Sequence, residues 1–199
     1  MSDSDLQDEL HCGQHRRSWP WLAMAVIVTL AVGQLHLQGR PGWCSCGRLS
    51  PWAGDIWSSH CSQHLFDPYS FTHVLHGLVL YGLLALACPK MPLAWRLCLA
   101  ISLEAGWEVF ENCDFTIQRY REMTIALDYK GDSIANSLGD ILSCGVGFLL
   151  TRRLGVWGSV SLFVATEVVL LIWIRDSLLL NVVMLAWPID AVKTWQMVH

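Results

Sequence analysis

Apolar residues in this chain come in long, nearly unbroken blocks, and short polar stretches separate them. That pattern is not the apolar stripe of a helix on a soluble protein but the run expected of helices surrounded by lipid. A bilayer crossing takes about 20 predominantly apolar residues. By that measure Trp19–Leu37 is a first span, Phe71–Cys88 a second, Leu93–Phe110 a third, Ile134–Leu150 a fourth and Val156–Ile174 a fifth. Ser177–Trp187 is apolar too, but at about 1.5 Å of rise per residue it is too short to cross, and it predicts an interfacial or re-entrant helix. The expected fold class is therefore all-α: a polytopic membrane helix bundle of about five transmembrane helices plus a short C-terminal helix. Residues 19–199 form a single integral membrane domain, preceded by a flexible cytoplasmic tail over residues 1–18.

Composition supports this class. Of 199 residues 53% are hydrophobic and only 15% charged, more apolar surface than a soluble fold of this length can hide. The formal net charge is −4 and the sequence holds no Lys/Arg-rich cluster, which excludes nucleic acid as a partner. Membrane lipids are the expected partner, and nothing in the sequence identifies a protein partner. Arg16, Arg17, Lys90, Arg96, Arg152 and Arg153 fall on one side if five spans alternate. They are denser there than Arg40, Arg48, Arg119, Arg121 and Lys130 on the other side. Basic residues mark the cytoplasmic side, so the N-terminus is expected inside, with a Cys- and Trp-containing loop, residues 39–70, facing outward.

That topology brings polar residues to one level. His73 and His76 lie in the first turns of the second span; Glu104, Glu108 and Glu111 share one stripe of the third; Asp132, Asn136 and Asp140 share one stripe at the head of the fourth. Turning such stripes toward lipid would cost several kcal/mol per charge, so they are expected to face one another.

The segments WCSCG (Trp43–Gly47), SQHLFDPYSFTHVLHG (Ser62–Gly77), EAGWEVFEN (Glu104–Asn112), YREMTIALDYKGDSIANSLGD (Tyr120–Asp140) and IRDSLLLNVVMLAWP (Ile174–Pro188) resemble, in the same order, those of an uncharacterised bacterial membrane-protein family catalogued as domain of unknown function 2585. The similarity runs from about Trp43 to the C-terminus. It implies a multi-pass protein of the bacterial inner membrane and no particular activity.

The chemistry follows from the residues. Imidazoles and carboxylates projecting inward from several helices are a common way to build a transition-metal site. His73 and His76 can supply nitrogens and Glu108, Glu111 and Asp132 oxygens to a divalent zinc, manganese or iron ion. His64, Asn112, Tyr129 and Asn136 are candidate supporting groups, with His64 a further ligand or a residue of the turn into the second span. Such a site at the outer membrane face can activate water against a lipid-type phosphate or ester, making the protein a metal-dependent hydrolase or transferase. Glu104 or Asp140 is then the general base, and Arg119 and Arg121 hold a phosphate. No His-Glu-x-x-His or Gly-x-Ser-x-Gly motif occurs. Two other readings stay open: a proton- or ion-coupled transport path through Glu104, Asp140 and Glu167, or a buried hydrogen-bonded network with a purely structural role. In the loop, Cys44 or Cys46 is expected to bridge Cys61 if the compartment is oxidising. His60 and His64 nearby make a small metal site the alternative.

Overall fold

The computed structural model describes residues 3–126 and 128–197, and for residues 3–17 the backbone alone. The expected flexible tail thus falls largely outside the described side chains. The order of elements is α1 (Asp3–Leu37), α2 (Ser70–Ala87), α3 (Leu93–Glu111), α4 (Asp114–Met123), α5 (Ile134–Trp173), α6 (Leu178–Ala186) and α7 (Asp190–Met197). No strand is present among the described residues beyond an isolated bridge between Trp52 and Phe66.

Three stretches are long and apolar enough to cross a membrane, Ser18–Leu37, Ser70–Ala87 and Ile134–Trp173, where the sequence predicts five. Two features account for the difference. The predicted fourth and fifth spans are both helical and together make up α5, two helices that meet at Gly155, where φ 67° and ψ −174° break the helix, a conformation essentially confined to glycine. The predicted third span is helix α3, as expected, but Arg96, Glu104, Glu108 and Glu111 interrupt its apolar character. The expected short C-terminal helix is α6. The polar helix α7 behind it carries no apolar run that would have announced it.

Only 11% of the most apolar window of α5 is buried. Val156, Trp157, Val164, Val169 and Ile172 stand exposed along it. Exposed apolar surface costs about 25 cal/mol per Å² in water, so a surface of this kind suits association with a membrane.

The helices pack chiefly as α2 on α5 and α1 on α3. Their shared core includes Leu84, Leu97, Ile101, Ile141 and Phe148. Where α2 crosses α5, a methyl group on Gly77 would land on the carbonyl of Cys144, and one on Gly147 on the carbonyl of Val74. Backbone therefore touches backbone on both sides of the crossing, the close approach that small residues permit between membrane helices.

The loop between α1 and α2 folds over the N-terminal end of α5. Its carbonyls at Ser62, Pro41 and Gly42 accept the backbone N–H groups of Ser133 (2.9 Å), Ile134 (2.8 Å) and Ala135 (3.3 Å). These are the donors that a helix start leaves unpaired. Ser133 completes the cap by accepting the N–H of Asn136 on its hydroxyl at 3.1 Å. At the far end of α5, Trp173 stacks on Trp52 of the loop and meets Phe71 of α2 edge-on.

Candidate metal centres

Helix α2 begins where Asp67, almost wholly buried, caps it. Its Oδ1 accepts the N–H groups of Tyr69 at 2.7 Å and Ser70 at 3.2 Å, while Ser70 Oγ accepts the N–H of Asp67 at 3.1 Å. This reciprocal cap fixes the first turn, and His73 lies one turn further on. Burial holds the Asp67 carboxyl above the usual range, against the N–H bonds that stabilise its charge.

The predicted polar stripes do meet. His73 Nδ1 lies 2.5 Å from Glu104 Oε1 and 3.4 Å from Glu108 Oε1, and its Nε2 lies 3.9 Å from Asp140 Oδ2. His76 Nδ1 reaches both oxygens of Glu104, at 3.1 and 3.2 Å. His73, Glu104, Glu108 and Asp140 are all buried. Two groups can each hold a metal ion, His73 with His76 and Glu104, and His73 with Glu108 and Asp140, the ligand atoms of each lying within 4.8 Å of one another. Glu104 occupies the Nδ1 side of both rings, the arrangement by which an outer carboxylate orients metal-bound imidazoles. The Nε2 of His73 is thereby directed at Asp140. Both oxygens of Glu108, Oδ1 of Asp140 and Nδ2 of Asn136 are buried without a hydrogen-bond partner among the described residues. Buried polar groups are ordinarily paired, so this concentration of three acceptor oxygens and one amide donor without hydrogen-bond partners is the unusual feature of the layer. Beside it opens an apolar cleft of about 190 Å³ lined by Trp52, Phe66, Ser70, Phe71, Val74 and Ser143, and Ser70 is within hydrogen-bonding reach of the Asp140 carboxylate.

Other predicted site residues stand apart from this group. Asp132 Oδ2 accepts the amide of Asn112 at 2.8 Å and the hydroxyl of Tyr129 at 2.9 Å, while Asn112 Oδ1 accepts the backbone N–H of Asp132 at 2.7 Å. This closed network ties the end of α3 to the start of α5 and spends the oxygen that would have faced a metal. Burial pushes the Asp132 carboxyl up to about 6, against the two hydrogen bonds that favour its charge. Glu111, half-buried, lies against the hydroxyl of Tyr120. Neither Glu111 nor Asp132 joins the ligand groups around His73. Arg119 is engaged with the carbonyl of Leu185 at 3.1 and 2.8 Å and Arg121 with that of Tyr129, so both guanidinium groups serve backbone carbonyls. Glu167 receives the N–H groups of Leu178 at 2.9 Å and Leu179 at 3.2 Å, which makes it an anionic cap on α6.

The loop holds a third group, apart from the two that share His73. Cys44 Sγ lies 3.3 Å from His60 Nδ1 and Cys46 Sγ 3.7 Å from His64 Nε2. Cys44, Cys46 and Cys61 are free thiols, and the bridge expected to Cys61 is not made. The thiol of Cys61 faces Ser62 and Asp67 instead, and burial raises it well above the usual range. The Cys-x-Cys and His-x-x-x-His spacings are the sequence signal for this group.

All three groups lie within the stretch that ties the chain to known sequences. The model of the family described as protein of unknown function (DUF2585) matches residues 35–198. The chain belongs to this family. Its relatives match it nearly end to end. A UPF0314 protein of Paracoccus denitrificans (strain Pd 1222) is 46% identical over 181 residues, 91% of this chain and 94% of that one. A UPF0314 protein of Rhizobium meliloti (strain 1021) is 46% identical over 185 residues, covering 92% and 93%. One of Sphingopyxis alaskensis is 43% identical over 176 residues, covering 88% and 94%. No solved structure matches the chain.

Proposed function

We propose that this DUF2585 member is a multi-pass protein of the bacterial inner membrane that binds a divalent metal ion between α2, α3 and α5. The observation that carries the reading is that Oε1 and Oε2 of Glu108 and Oδ1 of Asp140 are buried beside His73 without a hydrogen-bond partner. His73, Glu108 and Asp140 would hold the ion, and Glu104 would hold the two imidazoles in place. A mixed nitrogen and oxygen donor set suits zinc, manganese or iron. A metal there would supply a Lewis acid and an acidified water at neutral pH. The activity that fits is hydrolysis or group transfer on a lipid-type substrate at the outer membrane face. The apolar cleft beside Asp140 has the character to seat an acyl chain. The transport reading is the weaker one, because Glu167, its third stepping stone, is used in capping α6.

The test is metal analysis of the full chain purified in detergent, followed by a metal-dependent assay of phosphate or fatty-acid release from phospholipid in mixed micelles. The expected result is one equivalent of metal lost in both His73→Ala and Glu108→Ala, and release that depends on it. Metal content unchanged in both variants would overturn the metal reading; metal without release would overturn the enzymatic one.

A further inference from the structure

We propose that Cys44, Cys46, His60 and His64 form a second, tetrahedral zinc site that fastens the loop between α1 and α2. The four ligand atoms all lie within 4.8 Å of one another. With Zn–S of about 2.3 Å and Zn–N of about 2.0–2.1 Å, a tetrahedron sets sulfur and nitrogen about 3.6 Å apart. The two separations, 3.3 and 3.7 Å, bracket that value. Two thiolates with two imidazoles are a borderline-soft set that favours zinc over magnesium, calcium or manganese.

The surroundings orient the ligands. His64 is buried, and its Nδ1–H donates to the carbonyl of Ser50 at 2.5 Å. That bond fixes the tautomer and leaves Nε2 as the ligand atom facing Cys46. The ring of Trp43 packs edge-on against His64 at 5.7 Å. The turn that presents the two sulfurs is closed by the N–H of Gly47 on the carbonyl of Cys44 at 3.2 Å.

Four protein ligands close the coordination sphere, so the role is structural. The clip would join residues 44–46 to residues 60–64, shortening a loop whose ordering otherwise costs chain entropy. The three residues after His64 connect that clip to the helices. The carbonyl of Leu65 abuts Gly139 of α5, Phe66 pairs with Pro51 and Ala53, and Asp67 caps α2. The zinc clip thus anchors the loop that covers the start of α5. It shares no ligand with the group around His73.

The experiment uses the full chain, purified reduced in detergent and stripped of metal, and titrated with cobalt(II). The expected result is a thiolate-to-cobalt charge-transfer band with the intense visible bands of tetrahedral cobalt, all abolished by zinc. Cys44→Ser and Cys46→Ser should lose the charge-transfer intensity, while His73→Ala should keep it, which separates this site from the one proposed above. A measurement on the unaltered chain guards against variants that fail to fold. Zinc should protect Cys44 and Cys46 from alkylation at least tenfold, read by peptide mass spectrometry, and a chelator should remove the protection. Absence of the charge-transfer band, equal alkylation with and without zinc, or a disulfide from Cys44 or Cys46 to Cys61 in protein taken from its native membrane would each overturn the proposal.

Discussion

Replacing Asp132 by asparagine separates a structural role from a ligand role. In the fold the carboxyl of Asp132 sits at about 6 where its ordinary value is 3.8, because burial penalises the charged form more than Asn112 and Tyr129 favour it. At about 1.4 kcal/mol per unit, ionising Asp132 above pH 6 costs the fold about 3 kcal/mol relative to the unfolded chain. The sign follows from proton binding. Between the two values the folded state holds the extra proton, so this contribution is most favourable below pH 4 and is lost as pH rises through 6. Asparagine keeps an oxygen to accept from Asn112 and Tyr129, and the loss of charge assistance is already contained in that net figure. Asp132→Asn is therefore expected to be more stable than the parent at pH 7.5 by about 3 kcal/mol, with the advantage falling to about 1 kcal/mol at pH 4.5. Thermal unfolding in detergent at the two pH values, with metal content measured alongside, checks this. A variant destabilised equally at both pH values, or one that loses metal, would refute the reasoning.

Three further outcomes are expected from the same unfolding assay. Gly147→Ala should cost about 1–3 kcal/mol through overpacking against the Val74 carbonyl, outweighing the helix-propensity gain of about 1 kcal/mol; an unchanged midpoint would contradict the close approach. Gly155→Ala should cost a similar 1–3 kcal/mol for a different reason, since nothing lies within 4 Å of the added methyl and only the backbone conformation is strained. Glu167→Ala should release the start of α6 at a cost of about 1–2 kcal/mol, read as faster amide exchange at Leu178 and Leu179, with Glu167→Gln intermediate.

The stripes of His73, Glu104, Glu108 and Asp140 are legible in the sequence because helical spacing fixes which residues share a face, and the cost of charge in lipid fixes which way that face turns. Asp132 is harder to place. It precedes α5 by two residues, so helical periodicity does not reach it, and its direction is set by a contact with Asn112 at the end of another helix. The guanidinium of Arg121 escapes sequence reasoning for the same cause: Tyr129, its partner, lies across a loop whose course no periodicity dictates. The break within α5 is legible too: Arg152, Arg153 and Gly155 read in sequence as a connection, and the helix is broken at Gly155. In the loop, Cys44, Cys46, Cys61, His60 and His64 are all visible as candidates. Spacing alone does not say that the Cys61 thiol turns away toward Asp67 while the two imidazoles turn in.

The crossing of α2 and α5 at Gly77 and Gly147 bears on which ion the proposed site would take. His73 rides on one helix and Asp140 on the other, each within about two turns of where main chain rests on main chain. A seam of that kind has no compressible side chain in it, so the gap between donor atoms behaves as the jaw of a calliper with a fixed stop. With the side chains held in place, a larger cation in the proposed site would have to prise the two helices apart. Discrimination by size at His73 and Asp140 would then be a property of two absent side chains, at positions that do not reach the proposed ligands.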